Sequence, residues 1–401
     1  MKIFVSEYGS GDRSGKSRER AIAWDNGKGL EKAVERASPN TEIELRRATY
    51  RLTQPIVWKK SGRYSRPIRI TGEGPEAKGR DHGKSVLKVR EKWPTIVGDR
   101  PTRVPNSGNA GGAGDDFMRI QDRVENIVIE RLNLQNFARG FVADGGHNEG
   151  VVIQSIWADN LRQFASILSK KGHNSSNDWH IRRCHLTGIS RRAIRAEGLH
   201  DSDFIDIYAD CIDQRGQKHI NDWPLLFHAD ADAHDLKFER CCGANPHHPG
   251  KNYDNGDSFA AEERTRRIRF IDCIAYQPSD SGFDLKGKGH ELQRCYVEQA
   301  GNRAYRIWGD SELQKCMAEK QGNAKGDNAA IWTKDGNAVI SGFTGRDMDC
   351  PIAVDGKGRV RISHSLFQLR NQLKREKGYS LQNLVKSNGQ IQEDNVRYQL
   401  V

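Results

Sequence analysis

Apolar residues come in short alternating runs, and one four-residue form recurs along most of the chain. It reads apolar, two polar or small, then a residue suited to a core: IERL ending at Leu132, IQSI at Ile156, IRRC at Cys184, FIDI at Ile207, FERC at Cys241, FIDC at Cys273, LQRC at Cys295, LQKC at Cys316, ISGF at Phe343 and ISHS at Ser365. Successive fourth positions lie 21 to 34 residues apart. A second short strand precedes each of them: GFVAD, SILSK, AIRAE, LFHAD, SFAAE, GFDLK, AYRIW, AIWTK and PIAVD. Two or more strands per repeat, at a short and roughly fixed period, are the signature of a solenoid whose turns stack into parallel sheets. The pattern predicts an all-β chain: a single right-handed parallel β-helix of about ten turns, spanning residues 1–401 as one domain.

The two ends fit this picture. Residues 1–50 supply a first strand, IFVS, and a short amphipathic helix, GLEKAVERA at 29–37, placed to cap the open end of the coil as terminal repeats must. Residues 366–401 begin with LFQLRNQLKREKGYSLQNL, which reads as partly helical and is expected to pack back on the last turns.

In a stacked coil, equivalent residues of successive turns lie about 4.8 Å apart. The fourth-position cysteines then form an internal column of free thiols, since Cys packs as a small apolar residue and no pair has zinc spacing. Aligning the second strand gives two outward columns. One runs Val142, Leu168, Arg195, His228, Ala260, Asp284, Arg306, Trp332, Ala353; the other runs Asp144, Lys170, Glu197, Asp230, Glu262, Lys286, Trp308, Lys334, Asp355. Two tryptophans on an outward sheet face suit a flat partner such as a sugar. Asp257, Asp280 and Asp284 fall at one corner of adjacent turns; three carboxylates together call for a cation, and oxygen-only ligands suit Ca²⁺.

Composition narrows the partner. The chain carries a formal charge of +11, with 64 basic and 53 acidic residues interleaved rather than in blocks. That balance favours an acidic polymer, and the interleaving argues against nucleic acid. No run is long and apolar enough for a membrane helix, and no signal peptide opens the chain.

The runs NGDSFAAEE (255–263), SDSGFDLKG (279–287) and GNRAYRIWG (301–309) resemble the family 9 polysaccharide lyases, which are pectate-lyase-like right-handed β-helices. That family shows an aspartate ahead of a GFAAK-like strand, then DDGFD, then a GNGFKLG-like strand. The beginning of the chain, residues 3–52, also resembles the N-terminal segment of secreted β-helix lyases. The resemblance implies a secreted or periplasmic monomer that cleaves an acidic, uronate-containing polysaccharide by calcium-assisted β-elimination. It implies calcium at Asp257, Asp280 and Asp284. Ser281 stands where the family often has another aspartate, and Arg306 stands where it carries its lysine base, with Lys286 as the alternative base. Substrate subsites would extend over Arg195, His228 and Glu262 on one side and Trp308 and Trp332 on the other. Two other readings stay open: a glycoside hydrolase or epimerase on the same coil, using an acid pair among Glu197, Asp230 and Glu262, or a non-enzymatic carbohydrate-binding β-helix of the tailspike or adhesin type.

Overall fold

The structure is a computed structural model, and it describes residues 1–101, 114–168, 176–212, 223–247, 255–320, 329–348, 350–369 and 389–400. The fold is a parallel β-helix: apart from one α-helix, Lys28–Arg36, and three short 3₁₀ turns, the described elements are strands. The chain divides into two compact units, Met1–Asp222 and Trp223–Val401.

In the first unit, Lys2–Ser6 pairs in parallel with Glu42–Leu45, and the ladder continues through Ile68–Gly72, Glu125–Ala143, Glu149–Leu168 and Asn177–Thr187 to His200–Asp210. The capping helix falls where the sequence places it. It buries Gly29, Leu30, Ala33 and Val34, one stripe at helical spacing. Gly29 is required there, because a Cβ would stand 1.7 Å from the Ala23 carbonyl oxygen.

In the second unit, the parallel ladder Leu225–Asp230, Asp257–Ala261, Phe283–Leu285, Tyr305–Ile307, Ala329–Lys334, Cys350–Asp355 carries one sheet. Phe227, Phe259, Phe283 and Tyr305 stack inside it at centroid distances of 4.8, 4.6 and 5.3 Å with nearly parallel rings. The ring spacing follows the strand spacing, so one aromatic position is repeated as a continuous column.

The recurring four-residue form has a conformational cause. Its third residue (Arg131, Ser155, Arg183, Asp206, Arg240, Asp272, Arg294, Lys315, Gly342 or His364) takes a left-handed backbone with φ between 50° and 66°. Such a residue turns the chain, bending a continuous strand at Arg131, Ser155, Arg183 and Asp206 and following the end of a strand at the others, so the next side chain swings inward. Leu132, Ile156, Cys184, Ile207, Cys241, Cys273, Cys295, Cys316, Phe343 and Ser365 are all buried. The left-handed conformation costs a residue with a side chain roughly 1–2 kcal/mol, which the buried fourth residue and the continuous ladder offset. All eight cysteines are free thiols. Within the column, the Cys273, Cys295 and Cys316 thiols donate to the carbonyls of Phe238, Phe270 and Leu292 at 3.3–3.5 Å.

Two expectations are revised by the register. Val142 pairs with Ser166, and Ser166 with Arg195, so Ser166 rather than Leu168 stands in that column; Leu168 pairs with Glu197, in the place given to Lys170. Within Glu149–Leu168 the chain turns at Ser155 and Asn160 without leaving the ladder, so turn spacing does not mark the phase of Ser166–Leu168, which lies two residues from the expected one. At the C-terminus, Leu366–Leu369 is a strand. Gln390–Asp394 and Arg397–Leu400 extend the ladder by pairing with Arg359–Ser363 and Leu366–Leu369. The remainder of the segment read as partly helical, 370–384, lies outside the described residues, as do Lys170 and residues 248–254.

Candidate active site

The predicted column exists in the second unit as a hydrogen-bonded register. His228 pairs with Ala260, Ala260 with Asp284, Asp284 with Arg306, Arg306 with Trp332 and Trp332 with Ala353. Phe283 and Leu285 point into the core on either side of Asp284, so the alternation of that strand fixes the aspartate on the opposite face. Burial differs from what the alternation suggested. Asp257, Asp280 and Asp284 are 3%, 1% and 5% exposed, and His228 and Trp332 are 4% exposed. Two residues each from neighbouring turns crowd this face, and it is not an open solvated sheet.

Each carboxylate is held. Asp257 Oδ1 accepts the Ser281 backbone N–H at 2.8 Å. Asp280 Oδ1 accepts from Asn302 Nδ2 at 2.9 Å and from the Ser281 hydroxyl at 3.3 Å. Asp284 Oδ1 accepts the Trp308 indole N–H at 2.7 Å. Arg306 Nη1 lies 3.5 Å from Asp280 Oδ2 and 3.7 Å from Asp284 Oδ2. Lys286 Nζ is 3.8 Å from Asp284 Oδ2 and donates to Glu262 Oε2 at 2.7 Å, while Glu262 Oε1 is 3.6 Å from His228 Nε2. The Arg306 guanidinium rests 4.7 Å from the Trp308 ring centre and 5.6 Å from that of Trp332. Arg303, which the sequence reading missed, covers the Trp332 ring at 4.7 Å, and the Trp332 indole N–H donates to Asp355 Oδ2 at 2.7 Å. The Trp332 ring is thus tied into the protein instead of standing free on the surface.

The charges divide this face into two parts. Burial, then the neighbouring charges of Asp280 and Asp284, push the Asp257 carboxyl well above its usual range. Burial also raises Asp280 and Asp284, although Arg306 works against it at both. Burial would raise Glu262 too, but its hydrogen bonds to His228 and Lys286 outweigh that and bring it to about 2. For Lys286, burial favours the neutral amine, yet Asp284 and the Glu262 hydrogen bond overcome this and the ammonium is strengthened. The aspartate side is therefore short of positive charge, and the Glu262–Lys286 side is balanced.

Calcium was expected at the aspartates. The donor chemistry fits: three buried, oxygen-only carboxylates, each pushed up first by burial. The cage is not preassembled. Among the described residues, no three His, Cys, Asp or Glu side chains stand close enough together to hold a metal ion. Binding would require the carboxylates to close in. Arg195 lies in the first unit, where its Nε donates to Glu197 Oε1 at 2.7 Å.

Asn302 and the Ser281 backbone also escaped the sequence reading. Asn302 carried a signal: like Asp257 and Asp280, it is a polar residue set just ahead of an inward aromatic strand.

No family model matches the chain, and no curated protein matches it in sequence. Solved structures do resemble it. DFA-IIIase from Arthrobacter chlorophenolicus A6 is 10% identical with a TM-score of 0.55, covering 93% of this chain and 95% of that one. The GH136 lacto-N-biosidase of Eubacterium ramulus is 11% identical with a TM-score of 0.51, covering 100% and 68%. Pectate lyase Pel9A is 12% identical with a TM-score of 0.40, covering 100% and 76%. At these identities the first two likenesses, with TM-scores above 0.5, support the β-helix fold alone. No helix among the described residues is long and apolar enough to cross a membrane.

Proposed function

We propose that the protein is an exported polysaccharide lyase that cleaves a uronate-containing chain by β-elimination. The observation that carries this reading is the register that sets Asp284, Arg306 and Lys286 on adjacent turns beside Asp257 and Asp280. β-Elimination needs the substrate carboxylate neutralised, so that the proton on the adjacent carbon becomes removable, and a base within reach of that carbon. In this reading Arg306 pairs with the uronate carboxylate, because its guanidinium stays protonated and presents a planar fork. Lys286 is the amine placed to remove the proton; Asp284 and the Glu262 hydrogen bond strengthen its ammonium, so it acts as base once substrate has drawn one of these carboxylates away from it. The C–H electron pair becomes the new double bond, the glycosidic C–O bond breaks, and the leaving oxygen takes a proton. With no cation bound, a carboxyl raised by burial, such as Asp257, is suited to hold one for it; with a cation bound there, solvent supplies it. Calcium, when held by Asp257, Asp280 and Asp284, would supply further positive charge beside the substrate carboxylate.

The raised Asp257 also supports a second reading, glycoside hydrolysis, in which a protonated carboxyl acts as general acid. A panel of acidic polysaccharides, assayed with and without chelator for the ultraviolet absorbance of an unsaturated product, separates the two. Growth of absorbance supports elimination. New reducing ends without absorbance support hydrolysis and overturn the lyase reading.

A further inference from the structure

A second ladder of the Trp223–Val401 unit has no part in the chemistry above. Arg269–Ile271, His290–Gln293 and Ser311–Gln314 pair in parallel on successive turns. Phe270, Leu292 and Leu313 fill its core side. The other side carries two columns: Arg269, Glu291 and Glu312, and beside them Ile271, Gln293 and Gln314. These six residues line a cavity of about 150 Å³. Arg269, Glu291, Glu312 and Gln314 are exposed, so solvent reaches it. Three other pairs of opposite charge on adjacent turns of this unit close on each other. Arg294 donates to Asp272 at 2.6 Å, Lys286 to Glu262 at 2.7 Å and Lys320 to Glu298 at 3.1 Å. Arg269 and Glu291 are direct ladder partners of opposite sign, yet no ion pair joins them. Neither side chain, nor the Gln293 amide, has a polar partner among the described residues. Only Gln314 is engaged, donating from Nε2 to Glu312 Oε1 at 2.7 Å.

Unpaired donors and acceptors around one gap suit a ligand whose groups are both. A hydroxyl donates and accepts, so adjacent sugar hydroxyls can donate to Glu291 and Glu312 and accept from Arg269 and Gln293. Of the six residues Ile271 is the apolar one, and the C–H face of a ring can rest on it. A cavity of this volume takes a single six-membered ring. Two carboxylates face one guanidinium here, so a uronate carboxylate would meet like charge, whereas a neutral ring meets none. We propose that this cavity binds one neutral pyranose unit of a polysaccharide, apart from the aspartate site. It would hold the chain without acting on it. The proposal goes beyond the lyase reading and does not depend on it; where both hold, the substrate combines uronate with neutral sugars.

The test is a binding titration followed by saturation-transfer NMR, on Lys286→Ala protein to suppress turnover. The probes are galactotetraose, cellotetraose and mannotetraose, with tetragalacturonate as their acidic counterpart. At least one neutral probe should bind. Arg269→Ala and Glu291→Ala, each placed in that background, should weaken it on the order of ten-fold, the worth of a hydrogen bond to a charged group. Tetragalacturonate should behave alike with the parent and both variants. Unchanged affinity for every neutral probe in both variants overturns the site, as does failure of the parent to bind any of them. Tetragalacturonate weakened by Arg269→Ala as much as the neutral probe overturns the assignment to a neutral sugar. The melting temperature identifies a variant that has merely unfolded; Gln293→Ala then takes its place. Because the readout is binding, the outcomes separate. Neutral-probe binding weakened in the variants, together with no unsaturated product from the intact enzyme, sinks the lyase reading and leaves the site standing; unsaturated product with unchanged neutral-probe binding does the reverse.

Discussion

In the Met1–Asp222 unit burial falls on a cation, Arg192; in the Trp223–Val401 unit it falls on three carboxylates, Asp257, Asp280 and Asp284, which gather beside Arg306. A parallel ladder sets equivalent positions about 4.8 Å apart, so a column either repeats one residue type or alternates several. For Phe227, Phe259 and Phe283 repetition gives a stacked core. Charges are not repeated in this way: Asp284 meets Ala260 and Arg306 on its neighbouring turns, and Arg192 and Arg195 meet Gln163 and Ser166. Asp116 and Arg139 are a second pair of opposite sign in register, in the first unit. What differs between the units is the sign of the charge that burial disfavours: burial, then Arg191 and Arg195, lower Arg192, and burial, then Asp280 and Asp284, raise Asp257.

The largest expected effect is on catalysis in the aspartate unit. Lys286→Ala should lower turnover by on the order of 10²–10⁴, the usual worth of a positioned acid–base group. Arg306→Ala should act mainly on KM, and Arg306→Lys should keep part of the activity. If both alanine variants keep near-full turnover, this face is not the active site.

The next effect sharpens the contrast in sign. A buried carboxyl whose folded pKa is raised binds protons more readily in the native state, so stability is full below the unfolded value of 3.8 and falls as pH rises through the folded value. Asp284→Asn removes that fall. The variant should melt a few degrees above the parent at about pH 8 and show little difference at about pH 4. Calcium should raise the melting temperature of the parent and not of Asp284→Asn. Equal calcium stabilisation of both proteins would rule out this site for the ion.

Buried histidines give the opposite pH dependence, one in each unit. Burial lowers His185 and His290 to about 4 from 6.5. Both stay neutral in the folded state, so the unfolded chain takes up protons first as pH falls, and stability is lost between pH 6.5 and about 4. Equilibrium unfolding across that range should show the loss, and His290→Gln should flatten it. An unchanged slope in the variant would contradict the assignment.

The smallest effect is chemical. Burial raises Cys184 to about 12, and all eight thiols are free. The thiols of the internal column should react slowly with a thiol reagent in the native protein and fully once it is denatured.

Much of the coil was legible because its corners carry a local cost that sequence records. A left-handed residue ahead of each buried fourth position leaves a polar-then-apolar mark, as in IRRC, FIDC and LQKC. The aspartate–arginine register was legible for the same reason, since Phe259, Phe283 and Tyr305 fix the phase of three short strands. The phase failed along Glu149–Leu168, where the chain turns at Ser155 and Asn160 without leaving the ladder, and Leu168 was placed for Ser166. Burial of Asp284 and Trp332 was not legible. Alternation tells which face a side chain takes, but the crowding of that face depends on Arg303, Arg306 and Trp308 reaching across from the next turns.

The most direct test of the central claim is to run the cleavage of a uronate polysaccharide in heavy-oxygen water. Elimination predicts products that absorb in the ultraviolet and carry no heavy oxygen at the new ends. Heavy oxygen at the new reducing ends without absorbance, or no cleavage of any acidic polysaccharide, would contradict it.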